Sequence, residues 1–291
     1  MREKKYKIYL YLLVPVLFYT FFVIVPFFLA IYFSLFNWKG GPNMTFIGFG
    51  NYERMFADDK WLGAIGNNFE AMLIGIVGMS ILGYLFALLL TSRFVRMRKF
   101  YRFVMFLPVV LSGIVVGYMF NLIFNESPGL LNSLLRMMGL DSFTQLWLGD
   151  SRIAMGSISF IMVWQGIGLH LVVYMASLQN VSQDILDASI VDGCTGIKQA
   201  FYITTPMMKS TLRVSLILTI TNAMKMFEYV YITTKGSPGG ATYVMTYYTY
   251  QTAFEKLMRL GYSCALVVTS ILISMLLVII VNLLFRKEDV V

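Results

Sequence analysis

The chain has 291 residues, 58% of them apolar and 13% charged, with a mean hydropathy of +0.72. Soluble domains run at about 45–50% apolar and about 25% charged, so a water-soluble enzyme, a disordered tail and a disulfide scaffold are excluded. Lys and Arg outnumber Asp and Glu by 23 to 15, a formal net charge of +8; in a membrane protein that excess belongs to cytoplasmic loops, not to a nucleic-acid surface.

Long apolar runs predict six spans, at about Ile8–Phe36, Phe69–Thr91, Phe103–Phe124, Ile153–Leu178, Leu212–Ile232 and Ser263–Phe285. The fold class is therefore all-α: a polytopic membrane protein with one transmembrane domain over residues 1–291. The first run follows a basic Arg2–Lys7 segment, yet it is far longer than a signal-peptide core and no small-residue cleavage site closes it, so it reads as a retained span. Pro15 and Pro26 within it imply kinks. Gly113 and Gly117 form a G-x-x-x-G on the third span, a close-packing face.

Orientation follows from the loops. Residues 1–7, 92–102, 179–211 and 286–291 carry 13 Lys and Arg over 57 residues, against 8 over the 90 residues of 37–68, 125–152 and 233–262. The positive-inside rule places the denser set, and with it both termini, in the cytoplasm. Trp38, Trp61 and Trp147 near span ends read as an interfacial aromatic belt, as do Tyr247, Tyr248 and Tyr250; a docking surface is the sharper reading of the tryptophans. Cys194 and Cys264 fall in a cytoplasmic loop and at a span edge, which argues against a structural disulfide. One histidine, His170, cannot build a His-rich metal site.

The cytoplasmic loop 179–211 is the most informative stretch. Ser182 is an expected N-cap, with Asp184 in the first turn where the helix dipole favours an anion. Ile185, Leu186, Ile190 and Val191 share one side, and Gly193 is placed to end the helix in the left-handed conformation. Asp192 opposes the dipole, so it is expected to cap the next helix or to meet a cation elsewhere. That next helix runs to Pro206, expected to break the chain before the fifth span. Three acids and no base suit the first helix to a basic protein groove better than to anionic lipid.

This loop resembles the EAA loop of ATP-binding-cassette importer permeases, whose pattern is E-A-A, three residues, Gly, nine residues, then I-x-L-P. Asp187-Ala188-Ser189, Gly193, Ile203 and Pro206 fall at those spacings, and Asp192-Gly193 matches the carbohydrate-importing branch. Asp187 replaces Glu, Ser189 replaces Ala and Thr205 replaces Leu. Elsewhere Ser34–Trp38, Phe49–Tyr52, Phe106-Leu107-Pro108, Trp147-Leu148, Trp164–Gly168 and Gly236–Gly239 resemble the family's short motifs in the same order.

The resemblance implies a permease subunit of an ATP-driven sugar or oligosaccharide importer in the inner or plasma membrane of a prokaryote. It implies a second permease, expected to be a different chain, two cytoplasmic ATPase subunits that each receive one EAA helix, and an extracytoplasmic solute-binding protein. Asp187 would pair with a basic residue of the ATPase, and Gly193 would let the helix turn in its cleft. No P-loop motif and no Gly-Lys dipeptide occurs, so ATP and Mg are expected on the partner ATPase, and this chain is expected to hold no cofactor and catalyse nothing.

Polar groups inside spans are costly in lipid and face a cavity or a partner helix. The candidates for a substrate path are Asn222, Lys225, Glu228 and Tyr229 in the fifth span, Gln165 and His170 in the fourth, and Asn121 in the third. Lys225 and Glu228, three apart on one helical face, also suit a mutual ion pair. Two other readings compete with the sugar importer. One is the same machine carrying a glycerol phosphate ester, with Lys225 as an anion contact. The other is a stand-alone secondary transporter or a membrane enzyme, disfavoured by the absence of an inverted repeat.

Overall fold

In the computed structural model, residues 5–92, 95–126, 129–255 and 258–286 are described, with side chains from Tyr11 onward. Of the cations counted for orientation, Arg2, Lys4, Arg93, Lys256 and Lys287 lie outside the described residues.

The described chain is helical almost throughout. Its elements are α1 (Lys5–Tyr19), α2 (Val25–Ser34), β1 (Phe36–Trp38), β2 (Met44–Phe46), α3 (Gly50–Phe56), α4 (Asp59–Gly75), α5 (Leu82–Thr91), α6 (Arg98–Val110), α7 (Gly113–Ile123), α8 (Leu130–Met137), α9 (Ala154–Leu178), α10 (Gln183–Val191), α11 (Ile197–Gln199), α12 (Thr205–Met207), α13 (Lys209–Met224), α14 (Phe227–Thr233), α15 (Met245–Tyr250) and α16 (Leu260–Arg286). Short π-helical segments join α1 to α2, α4 to α5 and α11 to α12, so each of these pairs runs on as one helix. Pro26 thus sits at the start of α2, where its missing N–H is absorbed by the wider turn before it.

Among the described residues four helical stretches are long and apolar enough to cross a membrane: Tyr11–Ser34, Asp59–Thr91, Ala154–Leu178 and Leu260–Arg286. The second starts ten residues before the sequence-predicted Phe69. The third predicted span, 103–124, is two helices bent by 100°; Leu111 and Ser112 are extended, directly after the turn that Pro108 deprives of a donor. The fifth, 212–232, is also two helices. The α13 helix has 16 residues, roughly 24 Å at 1.5 Å per residue, short of the ~30 Å of a bilayer core. Lys225 and Met226 leave the helical conformation before α14 begins.

Contacts divide the described chain into two compact units: 1–61 with 248–272, and 62–247 with 273–291. In the first, β1 and β2 pair antiparallel, with Phe36 opposite Phe46 and Trp38 opposite Met44. Asn51 ties this hairpin to the first helix by donating to the Ser34 and Phe36 carbonyls at 2.7 and 2.9 Å. Tyr52 meets the Ser34 hydroxyl at 2.8 Å, and Trp38 stacks on Phe33. These bonds account for the two short motifs around Ser34 and Asn51. Asp58 caps α4, accepting from the Lys60 and Trp61 amides through Oδ1, while Oδ2 accepts from the Tyr248 and Tyr262 hydroxyls at 2.6 and 2.7 Å. Burial alone would raise the Asp58 pKa; the two tyrosine hydroxyls and two amides outweigh it and hold the carboxyl below the usual range. Trp61 is 1% exposed, so it and the buried Tyr247 and Tyr248 are packing residues rather than the expected belt: their rings find protein partners before they reach the interface.

In the second unit α9 is central, and α5, α6, α7, α13 and α14 all pack on it. A helix with several neighbours needs apolar and small residues over much of its surface, and twelve of the 25 α9 residues are buried. Gly168 is where α6 comes closest: a Cβ there would run into the Met105 carbonyl and the Phe106 backbone. The predicted close-packing face of α7 is present, Gly113 lying against Glu228 and Gly117 against Ile232 of α14. Trp147 donates to Asn132 at 2.8 Å and stacks on Phe124, a packing role again. Both cysteines are free.

Tyr262→Phe removes one hydrogen bond to a partly buried carboxylate and should cost about 1–2 kcal/mol, read as a lower Tm of the detergent-purified chain. Because the Asp58 pKa is depressed in the fold, its stabilisation is present above the unfolded pKa of about 3.9 and is lost as pH falls through the folded value. The gap between thermal melts of the wild type and Asp58→Asn should therefore narrow as pH is lowered from 7 into the acid range where the carboxyl protonates.

Candidate substrate cleft and coupling loop

Both helix breaks lie beside α9, and the bonds that satisfy them define a site. The Leu111 carbonyl, freed where α6 stops, accepts from the Gln165 side chain at 2.7 Å. The Gln165 carbonyl oxygen in turn accepts from the Tyr229 hydroxyl at 2.8 Å. In the other break, Asn68, fully buried on α4, donates to the Ala223 carbonyl at 2.7 Å and accepts from the Met245 amide at 2.8 Å. Such capping is required wherever a helix ends inside an apolar environment.

Between the breaks lies a cleft of about 320 Å³. Gln165, Asn222, Lys225, Glu228 and Tyr229 line it, with an apolar wall from Val109, Met162, Leu169 and Met226. Five of the seven path candidates thus converge on one surface. The predicted Lys225–Glu228 ion pair is absent, because the helix unwinds between them and their three-residue spacing no longer puts them on one face. Elsewhere Arg152 pairs with Asp150 and draws the Asp150 carboxyl down to about 2. The Glu228 carboxylate instead lies against Gly113, at the start of α7, where the helix dipole favours an anion.

The other two candidates lie elsewhere. His170 is 1% exposed, bonded through Nδ1 to the Gly166 carbonyl at 3.1 Å and through Nε2 to Thr219 at 3.0 Å. Ser80, Ser215 and Tyr174 continue that buried network, which ties three helices together. Asn121 donates to the Ile232 and Thr233 carbonyls, extending the Gly113–Gly117 stripe. Asn68 is not among the sequence-based candidates, although a polar amide beside an apolar run is the same signal that Asn121 carries.

The loop between α9 and α13 is a compact corner. The N-terminus of α10 follows Ser182, whose hydroxyl makes no capping bond. At its other end Gly193, at φ +78, donates to Ile190 and Cys194 to Ser189, a 5→2 and 6→1 pair that closes the helix in the left-handed conformation. Asp192 is the C-terminal flanking residue of α10 and does not cap α11, whose flanking position is Gly196. Ser189, buried, donates to the Leu186 carbonyl, and Gln199 donates to both Leu186 and Ser189 at 2.9 and 2.6 Å. Here the hydroxyl of Ser189 joins the two loop helices. Asp187 is exposed and receives Gln183 at 2.9 Å; Asp184, Ala188, Asp192, Ile185, Ile190 and Val191 are exposed as well. The apolar side predicted for α10 is thus turned largely outward. Ile203 is half-buried. Pro206 does not break the chain as expected: the π-helical turn Ala200–Thr204 absorbs its missing donor, and the interruption falls at Met208.

A polytopic helical membrane protein with interrupted helices around a polar cleft is the architecture of a transport component. The chain belongs to the family of binding-protein-dependent transport system inner membrane components, whose pattern matches residues 79–289. It is a multi-pass membrane permease and not an enzyme. The probable ABC transporter permease protein YurN of Bacillus subtilis is 38% identical over 91% of each chain. The diacetylchitobiose uptake permease NgcF of Streptomyces coelicolor is 31% identical over 87% of this chain and 74% of its own. In fold, the chain matches one from a bacterial alginate ABC transporter solved with an alginate pentasaccharide-bound periplasmic protein. The TM-score is 0.84 at 20% identity, over 97% of this chain and 94% of that one.

Asn68→Leu strands one buried carbonyl and one buried amide, at about 1–3 kcal/mol each, whereas the exposed Asn222 leaves no such orphan. Thermal unfolding in detergent should show a large loss for Asn68→Leu and almost none for Asn222→Leu.

Proposed function

We propose that this chain is a permease subunit of an ATP-driven importer of sugars or oligosaccharides, crossing the membrane six times with both termini in the cytoplasm. The convergence of Gln165, Asn222, Lys225, Glu228 and Tyr229 on one cleft between two unwound spans carries this reading. Amide, hydroxyl and charged groups beside an aromatic ring are the chemistry that binds a saccharide, and the unwound backbone lets them point into one space. The named substrates of the relatives support the choice of a saccharide.

In this reading α10 docks into a cleft of a cytoplasmic ATPase, which binds ATP and Mg. Exposed Asp184 and Asp187 would meet basic residues there, Ala188 and the outward apolar residues would fill the groove, and the Gly193 turn with Ser189, Asp192, Ile203 and Pro206 would carry its motion to α13. A second permease, expected to be a different chain, completes the pathway, and an extracytoplasmic binding protein delivers the solute. One observation favours a second solute class, such as a glycerol phosphate ester: Lys225 is exposed in the cleft and has no ion pair among the described residues.

Purification from native membranes in mild detergent should recover a P-loop ATPase and a second permease; a chain that stays alone after cross-linking would overturn the reading. In reconstituted vesicles Gly193→Pro should abolish uptake without impairing membrane insertion, since proline is confined to φ near −65° and this turn needs +78°. Asp187→Lys should weaken co-purification of the ATPase through charge reversal. Lys225→Ala should change the order of preference among neutral and anionic solutes; wild-type uptake of all of them would remove Lys225 from the path.

A further inference from the structure

A second cleft, of about 500 Å³, lies where α5 ends and α6 begins, lined by Phe86, Leu89, Leu90, Val95, Arg96, Met97, Tyr101 and Met105. Its lining is apolar apart from Arg96 and the hydroxyl-bearing Tyr101. Beside it Ser92 donates to the Leu89 carbonyl, while Arg98 donates to the Ser92 and Val95 carbonyls at 2.8 and 3.1 Å. Arg98 is therefore occupied. Arg96, Lys99 and Arg102 are exposed and form no ion pair among the described residues, and the sequence has no acid between Glu70 and Glu126.

We propose that this cleft binds one anionic phospholipid, with its phosphate at Arg96 in the field of Lys99 and Arg102, and an acyl chain along Phe86, Leu89 and Met105. At roughly 30 Å³ per water-sized group the cleft holds on the order of fifteen such groups, the size of an acyl chain. The ends of membrane-spanning helices meet the headgroup layer, where each nearby cation attracts anionic lipid. An apolar slot lined by one unpaired arginine, with two further cations nearby in sequence on α6, is complementary to an anionic head joined to an apolar tail. A zwitterionic lipid fills the slot without answering the charge, and a free anion answers the charge without filling the slot. The assignment does not depend on the transport reading.

The test uses the full chain in nanodiscs, with phosphatidylglycerol and phosphatidylcholine of identical acyl chains, read by native mass spectrometry. One phosphatidylglycerol should be retained in preference to phosphatidylcholine. Arg96→Gln should lower its retention about fivefold, and Leu89→Trp, which fills the slot, should abolish it. Equal retention of both lipids, unchanged retention in both variants, or displacement by inorganic phosphate would overturn the proposal. On the wild type, phosphatidylglycerol with a diazirine in its tail should label Phe86, Leu89 or Met105; labelling spread evenly over the lipid-facing helices would count equally against it.

Discussion

Inside a bilayer every backbone carbonyl needs a partner from the protein, because no water is there to supply one. This chain interrupts two of its apolar runs, at Leu111–Ser112 and at Lys225–Met226, and each interruption frees polar groups. Amide side chains on adjacent helices resolve the problem: Gln165 takes the Leu111 carbonyl and Asn68 the Ala223 carbonyl. A similar bond from Asn121 anchors the end of α14. Without these caps the breaks would leave buried carbonyls unpaired and be unfavourable.

The breaks are also what creates the cleft. A regular α13 continued through Glu228 would set Lys225 and Glu228 side by side and let them neutralise each other. Unwinding separates them, sends Glu228 toward the start of α7 and leaves Lys225 on the cleft wall. Gln165 serves both purposes, since it caps one break and orients Tyr229. The polar network through His170, Thr219 and Ser80 does the opposite work: it is closed, buried and satisfied, and it fixes α9 against its neighbours so that the breaks have a rigid frame.

The loop 179–211 follows the same economy. One hydroxyl, Ser189, and one amide, Gln199, join its two helices, while a left-handed glycine sets the angle between them. Its acids and several of its large apolar residues face outward.

Composition, the apolar runs and the loop spacing made the helical membrane class, the family resemblance and the Gly193 turn legible in the sequence, because each depends on local pattern: a 20-residue apolar run, a glycine at a helix end, residues at fixed offsets. The path candidates were legible as a set, since any polar side chain in an apolar run stands out. What tertiary structure decided was how to sort them. Whether an amide such as Asn68, Asn121 or Gln165 closes a carbonyl, or a residue such as Lys225 faces a cleft, depends on which neighbouring helix passes within hydrogen-bond distance. The helix breaks were hidden for the same reason: an interrupted helix and a continuous one share the same hydrophobicity, and the partner that stabilises the interruption lies more than fifty residues away in the chain.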